Sequence, residues 1–135
     1  MSRLWKQETA KALENFGPGR LPRQLIRAYG EVKQAALAAT HRYDPELWTE
    51  EAAAAIASAC TAIIRGDHDD AFPLSLSQGG AGTSIHLNMN EVISSLVEQF
   101  CGAVLDPLED LARFQSTNDT FATAVNVALL RGLGE

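Results

Sequence analysis

No apolar run in this sequence approaches the ~20 residues that a helix needs to span a bilayer. Nor does the chain open with a secretory signal, since Met1 is followed by the charged, amphipathic stretch Ser2-Arg3-Leu4-Trp5-Lys6-Gln7-Glu8. A membrane protein is excluded on this reading, and a cytoplasmic location is expected. Basic residues are also scarce, with 11 Lys and Arg against 17 Asp and Glu and a net charge of -6. Nonspecific nucleic-acid binding replaces counterions with clustered Lys and Arg, so nucleic acid is not an expected partner. The one small basic cluster, Arg20, Arg23 and Arg27, reads as a solvated helix start. Cysteine is rare too. Cys60 and Cys101 lie far apart, without metal-ligand spacing and within apolar helical patterns, so they read as small buried hydrophobes.

What is present suits a globular domain. Hydrophobic residues make up 46% of the chain and charged residues 21%. At 135 residues the chain is the size of one domain, able to bury roughly two-thirds of the surface of its unfolded form. From Gln24 to Thr40, Leu25, Tyr29, Val32, Ala36 and Ala39 recur at steps of three and four, predicting a helix after Pro22 and the Phe16-Gly17-Pro18-Gly19 turn. A second helix is predicted to open at Asp44-Pro45. Its alanine-rich body, Ala52 to Ile64, carries Ile56, Cys60, Ile63 and Ile64 on one side and stops at Gly66. So many alanines imply close helix packing. Residues 67–82 look irregular, and the lone acidic turn Asp67-His68-Asp69-Asp70 reads as solvated loop, with no metal or cofactor expected. A third helix runs from the glycine loop to Cys101-Gly102. A final one follows Ser116-Thr117-Asn118-Asp119, with Phe121, Val125, Ala128 and Leu129 on one stripe. Strand signals are few, and the expected class is all-α.

The chemistry-bearing residues gather at the starts of the last two helices. A helix N-terminus offers unpaired N–H groups and the positive end of its dipole, a good receptor for carboxylate or phosphate. Gly79-Gly80-Ala81-Gly82-Thr83-Ser84 adds backbone that can approach a ligand closely, and Ser116-Thr117-Asn118 repeats the hydroxyl and amide donors. Two such termini facing one pocket could hold both ends of a small dicarboxylate. Taken alone, each segment is more often an ordinary cap than a binding site. The glycine loop is no Walker A loop, because no Lys follows Gly82, and it lacks the strand context of a dinucleotide fingerprint.

The stretch Gln78 to Ile93, QGGAGTSIHLNMNEVI, resembles the signature of the fumarase/aspartase superfamily of lyases. Gly80, Gly82, Thr83, Ser84, Asn88, Asn90, Glu91, Val92 and Ile93 match it in register. Gln115 to Phe121, followed by Thr123-Ala124-Val125, resembles a second family block. Thr9 to Phe16 and Asp69 to Pro73 are similar to two weaker ones. The resemblance implies the N-terminal helical domain of such an enzyme, residues 1–135, with the central helical bundle and C-terminal domain absent. It implies that Thr83, Ser116, Thr117 and Asn118, with Ser84 as a lesser candidate, donate hydrogen bonds to a substrate carboxylate. Asn88 and Asn90 would shape the turn and helix packing.

By the same resemblance, the catalytic serine on its glycine-rich loop lies beyond residue 135, and no catalytic residue is assigned within the chain. His41, His68 and His86 then read as surface or packing histidines. The isolated chain is expected to be inactive, to expose an apolar face and to self-associate. The implied parent is a homotetramer whose pocket draws on three subunits and takes a small dicarboxylate or amino-acid substrate. Departures are specific: His86-Leu87 stands where Asn-Met is usual, Ala122 replaces a Pro, and acidic Asp106-Pro107-Leu108-Glu109-Asp110-Leu111-Ala112 replaces a His-containing segment that forms a secondary anion site in fumarases. The glycine loop is closer to the aspartate ammonia-lyase version, the preferred expectation. A fumarate hydratase-type lyase and a noncatalytic helical interaction module are the alternatives.

Overall fold

The computed structural model describes residues 3–134, so Met1, Ser2 and Glu135, part of the opening and closing segments read above, lie outside the described residues. Five α-helices follow in order: α1 (Gln7–Phe16), α2 (Arg23–Tyr43), α3 (Glu50–Arg65), α4 (Thr83–Cys101) and α5 (Thr117–Gly134). A single 3-10 turn, Asp69–Ala71, interrupts the α3–α4 connection, and no strand forms among the described residues. The all-α class holds.

Local chemistry explains most of the boundaries. Pro22 precedes α2, as expected. At the end of α3, Gly66 adopts a left-handed conformation, φ 93°, while Gly66 N–H and Asp67 N–H close on the carbonyls of Ile63 and Ala62. Gly102, at φ 77°, ends α4 in the same way. The expected start of the second helix needs correction. Asp44 closes α2, its N–H reaching Thr40 O at 2.9 Å, and α3 opens only after Thr49, whose hydroxyl accepts from Ala52 N–H at 3.1 Å. The intervening turn tucks Trp48 into the core, which a helix begun at Pro45 would not do.

Helix α2 packs on α3 and on α5, and α4 packs between α3 and α1. The α2–α3 contact is close, because a Cβ added at Gly30 would lie 2.9 Å from the Ile64 side chain. The buried stripe of α2 is rotated from the expected one: Leu25, Ile26, Tyr29, Lys33 and Leu37 are buried, whereas Ala39 is exposed. With neighbours on two sides, α2 buries a wider arc than a single apolar stripe would mark.

Helix α4 is buried almost all round, and its polar residues organise the rest of the molecule. The Glu91 carboxylate accepts from Lys6 N–H at 2.8 Å, Glu8 N–H at 2.6 Å, Thr9 N–H at 3.2 Å and Thr9 Oγ1 at 2.6 Å, capping α1 from outside. Asn88 Nδ2 donates to Ala71 O at 3.1 Å, Ser94 Oγ to Leu105 O at 2.7 Å and Ser95 Oγ to Leu4 O at 2.6 Å. Arg23, read above as solvated, bonds Ile64 O and pairs with Asp69 at 3.0 Å, tying the start of α2 to the end of α3.

The stripe expected on α5 is only half covered. Thr120 and Ala124 are buried, Phe121, Val125 and Ala128 are partly buried, and Leu129 is 60% exposed. Leu130 and Leu133 also face outward, so the far half of α5 presents an apolar surface. No described helix is long and apolar enough to cross a membrane.

Candidate functional site

The glycine loop brings the starts of α4 and α5 together. Gly82, just ahead of α4, is buried at φ 85°, a left-handed conformation suited to glycine. A Cβ there would come within 2.4 Å of the Phe121 ring on α5, so the two helix starts touch because this residue has no side chain. No side chain caps α4 and no acid sits in its first turn, which leaves its dipole end open.

Both starts border a cleft of about 790 Å³. Thr83, His86, Gln115 and Thr117 form one wall, Lys6, Glu8 and Glu91 from the start of α1 and α4 another, and the turn from Asp106 to Glu109 the rim. Of the five residues expected to bind a carboxylate, the structure brings Thr83 and Thr117 to this cleft. Ser84, Ser116 and Asn118 do not line it. Ser116 Oγ accepts from Asp119 N–H at 3.2 Å, an ordinary cap of α5 that still leaves its own O–H to donate elsewhere. Asn118 is exposed on the first turn of α5.

The acidic rim is engaged internally. Asp106 Oδ1 accepts from Leu108 N–H at 2.8 Å and Glu109 N–H at 2.7 Å, and these two bonds hold its carboxyl below the usual carboxylate range. Lys6, the cation of the cleft, donates to Ser94 Oγ at 3.0 Å and lies 3.8 Å from Glu98. An anion entering here gains little from net charge. It relies on helix starts and hydroxyl donors, which act at short range.

Three residues at the cleft were not among the site residues expected from the sequence. Lys33 is fully buried beneath the cleft, where Nζ donates to Leu111 O at 2.6 Å and Gln115 Oε1 at 2.7 Å and lies 3.4 Å from His86 Nε2. Burial pushes its ammonium down to about 7. His86 is a packing histidine in part, stacked on Tyr29 at 6.0 Å, yet its Nδ1 lies 3.1 Å from Thr117 Oγ1. Burial first, then the Lys33 charge, pushes its imidazole down to about 3. Gln115 completes the set. One signal was available for Lys33: it stands at helical spacing between Tyr29 and Leu37, at the centre of the buried stripe.

The whole chain, residues 1–135, matches a family model described as Lyase. It is 44% identical over 128 residues to a fumarate hydratase class II of Mycobacterium tuberculosis, covering 93% of this chain and 26% of that protein. Among solved structures it is similar to a fumarate lyase:delta crystallin from Brucella melitensis, with TM-score 0.84, 36% identity and coverage of 96% of this chain and 31% of that one. A recombinant class II fumarase from Schistosoma mansoni gives TM-score 0.80 and 30% identity, covering 95% of this chain and 28% of that one. The chain thus spans about a quarter to a third of the length of these relatives. With the match running from the first residue to the last and the helical scaffold shared, the chain belongs to the fumarase/aspartase superfamily of lyases.

Proposed function

We propose that this chain carries the carboxylate-binding part of a lyase that interconverts L-malate and fumarate, with the rest of the pocket supplied by a full-length protein. One observation carries the reading: two helix starts, each bearing a threonine hydroxyl, converge on one cleft. Thr83 and Thr117 are the principal donors. Ser116 and Asn118, and less directly Ser84, serve a carboxylate that extends past the cleft wall along the first turns of α4 and α5.

The reaction removes a proton from the carbon beside one carboxylate of malate, and the electron pair moves into that carboxylate as a dianionic aci form. Collapse of that form breaks the C–O bond as a general acid outside these residues protonates the departing hydroxyl, so water leaves and fumarate remains. Preorganised neutral donors bind the extra negative charge more strongly than they bind the ground state, which is how they lower the barrier. The resemblance implies that the base is a serine on a glycine-rich loop outside these residues; within them, the imidazole of His86 is bonded to Thr117 and the amine of Lys33 lies beneath the cleft wall. Assembly as a homotetramer with a shared pocket belongs to the same reading.

Hydration is favoured over the ammonia-lyase reading of the glycine loop, since the relative at 44% identity is a fumarate hydratase. The assay follows fumarate absorbance with L-malate and then L-aspartate, using the longest natural reading frame that contains these residues. Turnover of malate and not aspartate is expected. Turnover of aspartate alone would restore the ammonia-lyase reading. Silence with both substrates from an assembled oligomer would leave the noncatalytic helical module.

A further inference from the structure

We propose that Lys33 is a positioning residue: acting through His86, it orders the Thr117 hydroxyl as a hydrogen-bond donor into the cleft. The proposal rests on the reading of Thr117 as a carboxylate donor only for its consequence in binding, not for the proton order itself.

The argument is one of counting protons. An ammonium has three N–H donors and no acceptor. Two go to oxygen, at Leu111 O (2.6 Å) and Gln115 Oε1 (2.7 Å), and the third faces His86 Nε2 at 3.4 Å. Asn90 Nδ2 faces the same ring nitrogen at 3.4 Å. With two donors aimed at it, Nε2 carries no proton, and the neutral imidazole holds its hydrogen on Nδ1. That N–H donates to Thr117 Oγ1 at 3.1 Å. Thr117 is then an acceptor toward His86, and its own O–H is released to donate into the cleft. Tyr29, stacked on the imidazole with 18° between the rings, holds the ring plane.

Removing one proton from Lys33 reverses the chain. A neutral amine keeps two N–H bonds to the oxygens and turns its lone pair to Nε2, which now carries the hydrogen. Asn90 Oδ1, buried and without a partner among the described residues, can turn toward the ring to accept. Nδ1 becomes an acceptor of a hydrogen bond that the Thr117 O–H donates, so Thr117 shows only lone pairs to the cleft and opposes a carboxylate. The neighbours do not interfere near neutrality. From α3 the Cys60 thiol is pushed up to about 12 by burial, from α4 the imidazole is pushed down to about 3, and on α2 the Tyr29 phenol is raised by burial. Leu111 and Gln115 offer neutral groups, and α5 offers the hydroxyls of Thr117 and Thr120. The amine, pushed down to about 7, is the group of this cluster that changes charge there.

The test is a long-range ¹H–¹⁵N spectrum of the full chain labelled at histidine, recorded from pH 6 to pH 9. At pH 6 the His86 signal should be the neutral Nδ1–H tautomer, converting to Nε2–H as pH passes 7. Lys33→Arg, which keeps the donors but does not titrate, should hold Nδ1–H across the range, and Lys33→Met should lose it. An Nε2–H tautomer in the unsubstituted chain at pH 6, or one that ignores pH, overturns the proposal, and neither observation needs a variant to fold. Fumarate titration of the same sample separates the two readings. At least a tenfold weaker affinity at pH 9 than at pH 6 supports both. The expected tautomers with no fumarate binding at either pH uphold the proton order and overturn the carboxylate reading.

Discussion

Single residues in the interior of α4 hold the molecule together through hydrogen bonds, not only through apolar area. Glu91 is the clearest case, one buried carboxylate serving four donors at the start of α1. Glu91→Gln keeps the shape but turns an N–H₂ toward N–H groups, leaving buried donors unpaired at a cost of about 2–4 kcal/mol. Urea unfolding would measure it, and a loss below about 0.5 kcal/mol, the range of an ordinary surface change, would contradict the capping role. Lys33 and His86 set the pH dependence. Both are bases whose folded pKa is depressed, so the unfolded state binds more protons in the window between the two values, and stability rises with pH there. For His86 that window runs from about 3 to the ordinary 6.5, and for Lys33 it opens at about 7. Cys60, raised from 9.0 to about 12, works in the opposite sense above pH 9. Stability should therefore climb between pH 3 and 6.5 and again between pH 7 and 9. Thermal melts of His86→Asn should lack the acid limb and keep the alkaline one.

Helix ends show what local sequence can and cannot decide. Pro22, Gly66 and Gly102 mark boundaries through their own backbone constraints, so α2, the end of α3 and the end of α4 were legible. The start of α3 was not, because Asp44-Pro45 and Thr49 both carry start signals and burial of Trp48 chooses between them. Thr49→Ala should cost about 1 kcal/mol in thermal denaturation. Asp44→Ala should stay within about 0.5 kcal/mol, and the reverse order would place the helix start at Asp44. The buried stripe of α2 was misjudged for a tertiary reason, since a lysine occupies its centre and finds its acceptors on a segment 78 residues further along the chain. Gly82 joins α4 to α5. Gly82→Ala meets both a left-handed backbone and the Phe121 ring, together about 2–4 kcal/mol. It should part the two helix starts. Melting and the malate assay read the two effects separately, and an unchanged melting temperature would contradict the contact.

At the scale of the whole molecule, the residues proposed to bind a carboxylate were legible as residue types but not as an arrangement. Thr83 and Thr117 stand 34 positions apart in the chain, and the Gly82–Phe121 contact and the His86–Thr117 hydrogen bond make their helix starts neighbours. His86 was visible as a departure from the family pattern, while its partner Lys33 on α2 carried no motif. The fold also leaves Leu129, Leu130 and Leu133 of α5 outward, an apolar surface of the kind that draws copies together in solution. The relatives, three to four times longer, share this helical unit within a larger chain. Amide chemical shifts of the ¹⁵N-labelled chain during a fumarate titration at pH 6 test the central claim most directly. Saturable shifts gathered at Thr83–Ile85 and Thr117–Asp119, lost together in Thr117→Val, are the predicted result. Shifts confined to Arg20–Arg27, or none that saturate, would contradict a carboxylate site at the paired helix starts.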